Sequence, residues 1–130
     1  MDEKDRYDQG MKIRREVAGD THVDRAEANR TPFNDAFQDF ITRYAWGEVW
    51  ARPGLERHTR SMITIAMLVA LNREAELRMH FIAAANNGVS REEIKELLLH
   101  AALYCGLPAA NSAYHLAAEV FAEQDAAAKE

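Results

Sequence analysis

Strand signals are nearly absent from this 130-residue chain, and apolar residues recur instead at helical spacing. A chain patterned in this way can bury its apolar side chains only by packing helix on helix, so the fold class is all-α. The stretch Leu55 to Leu71 is the extreme case. With Met62, Ile63, Ile65, Ala66, Leu68, Val69 and Ala70 it is apolar around most of its circumference, which marks a central helix. Hydrophobic residues make up 48% of the chain, enough for the core of one compact domain without a covalent staple.

Helix punctuation then sets the element order. Residues 4 to 17 form a charged, mildly amphipathic helix through Tyr7, Met11 and Val17 that ends near Gly19, and Asp20 to Arg30, polar with few apolar anchors, is expected as a surface loop. Thr31-Pro32 opens a second helix carrying Phe33, Phe37, Phe40 and Tyr44 on one stripe, which Pro53-Gly54 breaks. Leu55 to Leu71 is the third. A fourth holds Glu76 and His80 and closes at Asn86-Asn87-Gly88, and the capping box Ser90-Arg91-Glu92-Glu93 starts a fifth with Ile94, Leu97, Leu98, Ala101 and Ala102 inward. After Gly106-Leu107-Pro108 a sixth runs to about Asp125, and residues 126 to 130 fray. The organisation is therefore one domain over 1–130, with an N-terminal helix and surface arm (1–30) and a helical core of about six helices in all (31–125). Alanines crowd the second half, among them Ala83, Ala84, Ala85, Ala113, Ala117 and Ala118, and such faces let helices approach closely within a chain or between copies, so a homo-oligomer is expected.

Charge and cysteine usage exclude several functions. A net charge of −5 with no Lys/Arg cluster opposes a nucleic-acid surface. No long apolar run and no charged-then-apolar leader occur, so no membrane association is expected and a cytoplasmic location is. Cys105 is the single cysteine, which leaves no CxxC pair to cycle. His58, His100 and His115 lack metal-ligand spacing, so no metal is expected.

Three features carry candidate chemistry. Glu76 and His80 stand four residues apart, on one helical face, where a carboxylate can orient or charge an imidazole. Trp46 and Trp50 flank Glu48, a pattern that suits a pocket wall and equally two core side chains. From Arg52 to Arg60, three arginines and His58 face one glutamate, and this island reads either as a seat for a small anion or as a solvated helix start. Arg78, on a different face from His80, reads as an interface or surface ion-pair residue, Cys105 as a packed small hydrophobe, and Tyr104 as a substrate contact or a buried helix-end tyrosine.

Taken in order, Tyr44-Ala45-Trp46-Gly47-Glu48-Val49-Trp50, Arg60-Ser61-Met62-Ile63-Thr64-Ile65-Ala66, Glu76-Leu77-Arg78-Met79-His80, Asn86 to Ile94, and Tyr104-Cys105-Gly106-Leu107-Pro108-Ala109-Ala110 resemble the carboxymuconolactone decarboxylase family of the alkylhydroperoxidase-like superfamily. The resemblance covers about Phe33 to Ala113. It implies an alkylhydroperoxidase-like helical fold, a hexamer, and a cofactor-free carboxy-lyase that converts γ-carboxymuconolactone to 3-oxoadipate enol-lactone and CO2 in protocatechuate breakdown. Thiol-dependent relatives in the same superfamily place cysteines where this chain has Arg73 and Glu76 and an acidic relay residue where it has Ser61. That branch's disulfide chemistry is thus absent, while the histidine position is kept as His80.

The reaction that the resemblance implies needs an anchored anionic lactone, a stabilised oxyanion and a proton at the α-carbon. His80 is the candidate general acid and Glu48 its candidate carboxylate partner or a group that destabilises the departing carboxylate. Arg52 and Arg57 are candidates for binding the carboxymethyl arm, Trp46 and Trp50 for walling the ring, and Glu76 for tuning His80. Two alternatives stay open: a decarboxylase or isomerase of another small lactone or keto acid, and a non-catalytic oligomer that binds an acidic metabolite.

Overall fold

The computed structural model describes residues 1–129, and among them every regular element is helical. Seven α-helices follow in order: α1 (Glu3–Ala18), α2 (Asp20–Ala28), α3 (Asp35–Phe40), α4 (Arg57–Leu71), α5 (Glu74–Ala83), α6 (Arg91–Cys105) and α7 (Leu107–Ala128). A π-helical segment, Ile41–Trp50, continues α3, and a 3-10 turn, Ala84–Asn87, follows α5. The chain divides into two compact units, Met1–Arg57 and His58–Glu130.

In the first unit, α1 lies directly against the π-helical segment. Two glycines allow this approach: a Cβ at Gly10 would run into the Thr42 carbonyl oxygen, and one at Gly47 would meet the Arg6 carbonyl oxygen at 2.5 Å. The extra helix relative to the six expected is α2. The residues expected as a loop are helical because Val23, fully buried, anchors them, and because Arg15 of α1 pairs with Asp20 at 3.1 Å and Asp24 at 2.9 Å. Arg30 then joins α1 to α3, with Asp35 at 2.7 Å, Asp39 at 2.8 Å and the Tyr7 hydroxyl at 3.2 Å.

The second expected helix is subdivided. Thr31 is not its N-cap: the Thr31 hydroxyl accepts from the Asn34 N–H and the Asn34 side chain accepts from the Thr31 N–H at 2.8 Å, closing a turn over residues 31–34. Regular α-helix begins only at Asp35, with Asn34 at the N-cap position, and gives way to π geometry at Ile41. The stripe Phe33, Phe37, Phe40 and Tyr44 is exposed, from 98% at Phe33 to 36% at Tyr44.

The second unit holds a continuous apolar core in which α5, α6 and α7 pack around Phe81, Ile94, Leu98, Ala113, Ala117 and Val120, joined by Ile65 and Val69 of α4. Gly88 takes the left-handed conformation (φ 76°) that stops the 3-10 turn after α5, and the Ser90/Glu93 capping box starts α6, both as the sequence indicates. The last helix extends to Ala128, beyond the end expected near Asp125, and of the residues expected to fray only Glu130 lies outside those described. Among the described residues no helix is long and apolar enough to cross a membrane.

Candidate active site

Glu48, Trp46 and Trp50 all lie on the π-helical segment. Runs of π-helix are rare and concentrate at functional sites. Trp46 is buried and its ring lies 5.2 Å from that of half-buried Trp50, so the two tryptophans pack on each other beside the backbone that carries Glu48. One carboxylate oxygen of Glu48 accepts a hydrogen bond from Arg6 of α1, and the other lies 3.4 Å from Arg52. Arg6, Gln9, Gly47, Glu48, Ala51 and Arg52 line a cleft of about 220 Å³ in this unit. Gln9 fixes one wall by donating to the Gly47 carbonyl at 2.9 Å.

Arg6 belongs to a wider network. Its guanidinium stacks over the Tyr44 ring at 5.4 Å and reaches Glu3 at 3.4 Å, while Glu3 also accepts from the Tyr44 hydroxyl at 2.8 Å. The Tyr44 hydroxyl, followed by smaller contributions from Arg6 and Arg43, holds the Glu3 carboxyl below its usual range, and Glu48 is first among the groups that hold Arg6 in its charged form.

The basic island is partly neutralised within the chain. Arg52 pairs with Glu48, Arg57 with Glu16 at 3.5 Å, and His58 with Glu93 at 2.6 Å. Glu93 is thus held twice, and its carboxyl sits below the usual range because the Ser90 backbone N–H, and next His58, stabilise its charge.

His80 sits in the last turn of α5, buried at 9% exposure, in the same unit as Ser61 of α4, which is fully buried. Glu76 stands exposed one turn earlier, and among the described residues its side chain makes no hydrogen bond or ion pair. The four-residue spacing therefore leaves the carboxylate in solvent and takes the imidazole inward. Arg78 forms a surface ion pair with Glu123 of α7, as one reading of the sequence has it. Cys105 packs half-buried against the core. Tyr104 corrects the expectation of a buried helix-end tyrosine: it is 76% exposed, its ring 5.1 Å from that of His100. Among the described residues no group of three or more His, Cys, Asp or Glu could hold a metal ion.

A second, larger depression lies between α4 and α6, about 720 Å³ in volume, with an apolar floor including Met62, Leu97 and Ala101 and an acidic rim of Glu92, Glu93 and Glu96. Of the residues singled out in the sequence, Tyr104 and Cys105 line it, but His80, Glu48, Trp46, Trp50, Arg52, Arg57 and Glu76 do not. Sequence reasoning missed Arg6 and Gln9 because they lie in a helix of low amphipathicity far along the chain from Glu48. The small residues Gly10 and Gly47, which let the two segments meet, were the available signal.

Known proteins resemble this chain in sequence along most of its length. A model of the carboxymuconolactone decarboxylase family matches residues 35–119, from α3 into α7. The chain is 60% identical over 121 residues to a 4-carboxymuconolactone decarboxylase of Acinetobacter baylyi, covering 93% of this chain and 90% of that protein. It is 46% identical over 102 residues to a nitrosuccinic acid decarboxylase of Metarhizium robertsii, covering 78% of this chain and 71% of the relative. A 4-carboxymuconolactone decarboxylase sequence of Pseudomonas putida matches in full over 48 residues at 56% identity, 37% of this chain. By the span of the family match and the identity held along nearly its whole length, the chain belongs to the carboxymuconolactone decarboxylase family.

Proposed function

We propose that this protein is a 4-carboxymuconolactone decarboxylase, a cofactor-free lyase that converts γ-carboxymuconolactone to 3-oxoadipate enol-lactone and CO2. The observation that carries the reading is the 60% identity to the Acinetobacter baylyi enzyme over 93% of the chain. In the reaction the bond from the γ-carbon to its carboxylate breaks and CO2 leaves. The released electron pair moves through the ring double bond into the lactone carbonyl, and the resulting furan-like oxyanion takes a proton at the α-carbon. The substrate is its own electron sink, so the protein's tasks are to bind an anion, stabilise the oxyanion and deliver a proton.

His80, a buried imidazole, is the proposed proton donor, because an imidazole can give a proton to carbon and take another between turnovers. Glu48 is the proposed carboxylate of the site, supported by its place between Arg6 and Arg52 on a π-helical segment. Arg52 and Arg57 are proposed to hold the substrate's carboxymethyl arm, exchanging an internal carboxylate for that of the ligand, and Trp46 and Trp50 to exclude water from the flat ring. Glu76, exposed and unpaired, is left with a tuning role from the surface.

The test is a CO2-release assay on γ-carboxymuconolactone with no added metal or thiol. Wild-type protein turns over, and His80→Ala, folded by circular dichroism, loses about 10²- to 10⁴-fold in kcat, the usual contribution of a general acid. A folded His80→Ala at the wild-type rate removes His80 from the mechanism. The Metarhizium robertsii relative favours a second reading, decarboxylation of another small acid, and nitrosuccinic acid belongs in the same assay. Turnover of that acid with none of the lactone would replace the first reading.

A homo-oligomer with an alkylhydroperoxidase-like subunit, working in the cytoplasm, completes the proposal. Support comes from apolar surface too extensive for a lone chain: Leu99 is 61% exposed, Leu103 and Leu107 75% each, and Met67 59%. Resemblance to the family suggests six copies, and native mass spectrometry counts them.

A further inference from the structure

We propose that α1 supplies a positioning residue of the reaction: Arg6, which fixes the Glu48 carboxylate at the mouth of the cleft between α1 and the π-helical segment. The inference rests on the reading above that Glu48 takes part in turnover. The family match begins at residue 35, so the resemblance gives α1 no part in the chemistry. The contacts do. Arg6 engages one Glu48 oxygen while Arg52 reaches the other, and when Arg52 turns to the substrate's carboxylate the Arg6 contact is the one that still holds Glu48. Arg52 is an exposed side chain one helical turn from Glu48, whereas the Arg6 side chain is only 19% exposed and is itself held by Glu3 and by the face of Tyr44. The firmer of the two restraints therefore comes from α1.

The backbone reinforces it. Gly47, next to Glu48, meets the Arg6 carbonyl oxygen so closely that a Cβ would lie 2.5 Å from it, and Gln9, one helical turn on from Arg6, bonds the Gly47 carbonyl. Residue 6 and residue 48 are held in register by main-chain contact as well as by the ion pair. A charge-assisted, preorganised contact of this kind fixes a catalytic carboxylate with little freedom left to lose when substrate arrives.

The experiment is a double-mutant cycle on full-length protein with γ-carboxymuconolactone as substrate. Arg6→Met keeps the aliphatic stem that packs on Tyr44 and removes only the charge and hydrogen bonds. Its kcat falls about 10- to 100-fold, the scale of one charge-assisted hydrogen bond, while KM changes little. Arg6→Lys, which retains a cation without the guanidinium fork, recovers part of that loss. In a Glu48→Gln background, Arg6→Met costs less than about twofold, because the group it positions has already gone. Thermal midpoints are followed in parallel. Should Arg6→Met fail to fold, Arg6→Lys in both backgrounds carries the same cycle.

Losses that multiply in the double variant overturn the inference, since Arg6 would then act independently of Glu48. Wild-type kcat in Arg6→Met beside a slow Glu48→Gln also overturns it and leaves the role of Glu48 intact. A Glu48→Gln enzyme at the wild-type rate removes Glu48 from the reaction and the positioning role of Arg6 with it.

Discussion

Replacing Gly10 by alanine sets two well-known effects against each other, and the sign of the outcome decides between them. Gly10 lies in the middle of α1, where helix propensity alone favours alanine by about 0.8–1 kcal/mol. The contact surface opposes it. A Cβ built there would overlap the Thr42 carbonyl oxygen and stand 2.9 Å from the Thr42 carbonyl carbon and 3.0 Å from the Gly47 nitrogen. All three are main-chain atoms, so no side chain can rotate aside, and α1 must lift away from the π-helical segment. Overpacking a filled contact costs about 1–3 kcal/mol, and the upper half of that range applies where backbone meets backbone. The net expectation is a destabilisation of about 1–2 kcal/mol. In a urea titration followed by far-UV circular dichroism, with a slope of about 1–3 kcal/mol/M, the midpoint drops by on the order of 1 M. Kinetics should suffer as well, because the same separation draws Arg6 away from Glu48. A Gly10→Ala protein as stable as wild type, or more so, would show that α1 does not make this contact and would refute the close approach on which the Arg6 argument stands.

Two further substitutions test the second unit. Leu98→Ala, at a position with no solvent exposure in the centre of the α5–α6–α7 core, should cost about 2–5 kcal/mol in chemical denaturation, and a loss below 1 kcal/mol would mean that the core is not centred there. Glu93→Gln tests the paired carboxylate. Because the folded carboxyl lies below its ordinary 4.5, its stabilising contribution is complete above that value and disappears as pH falls through the lowered one. The variant is therefore less stable than wild type at neutral pH and the gap closes on acidification, so a thermal-midpoint difference that widens toward acid would contradict the pairing.

Local signals in the sequence account for most of what the structure contains. The capping box at Ser90, the left-handed stop at Gly88 and the apolar period of α6 each act within a few residues, and each stands where the pattern puts it, whereas α4, expected as the central helix, buries only Ser61, Ile65 and Val69 and leaves Ile63, Met67 and Leu71 exposed. The misses share a cause. Asp20–Ala28 has too little apolar surface to announce a helix, and what stabilises it is one buried valine together with ion pairs to Arg15 in the preceding helix. Tyr104 ends a helix at a position that periodicity leaves ambiguous, and it faces outward. The π-helical register of Ile41–Trp50 has no compositional mark, since a shift from i→i+4 to i→i+5 hydrogen bonding requires no special residue.

The candidate site follows the same division between local and distant information. Trp46, Glu48 and Trp50 were conspicuous because they crowd one short stretch, and Glu76 and His80 because of a helical spacing. Spacing alone, however, says nothing of which member of a pair turns inward, and here the carboxylate is in solvent and the imidazole is buried. The partner of Glu48 was hidden for a different reason. Arg6 lies 42 residues away in sequence, and its approach depends on two glycines whose lack of a side chain matters only once α1 and the π-helical segment are side by side. Gly10 in a helix interior is locally unfavourable by close to 1 kcal/mol, and Gly47 breaks an aromatic, helix-forming run. Residues that oppose the local preference on both sides of one contact are explained by the contact itself. They allow the arginine of an otherwise unremarkable N-terminal helix to reach the carboxylate between the tryptophans.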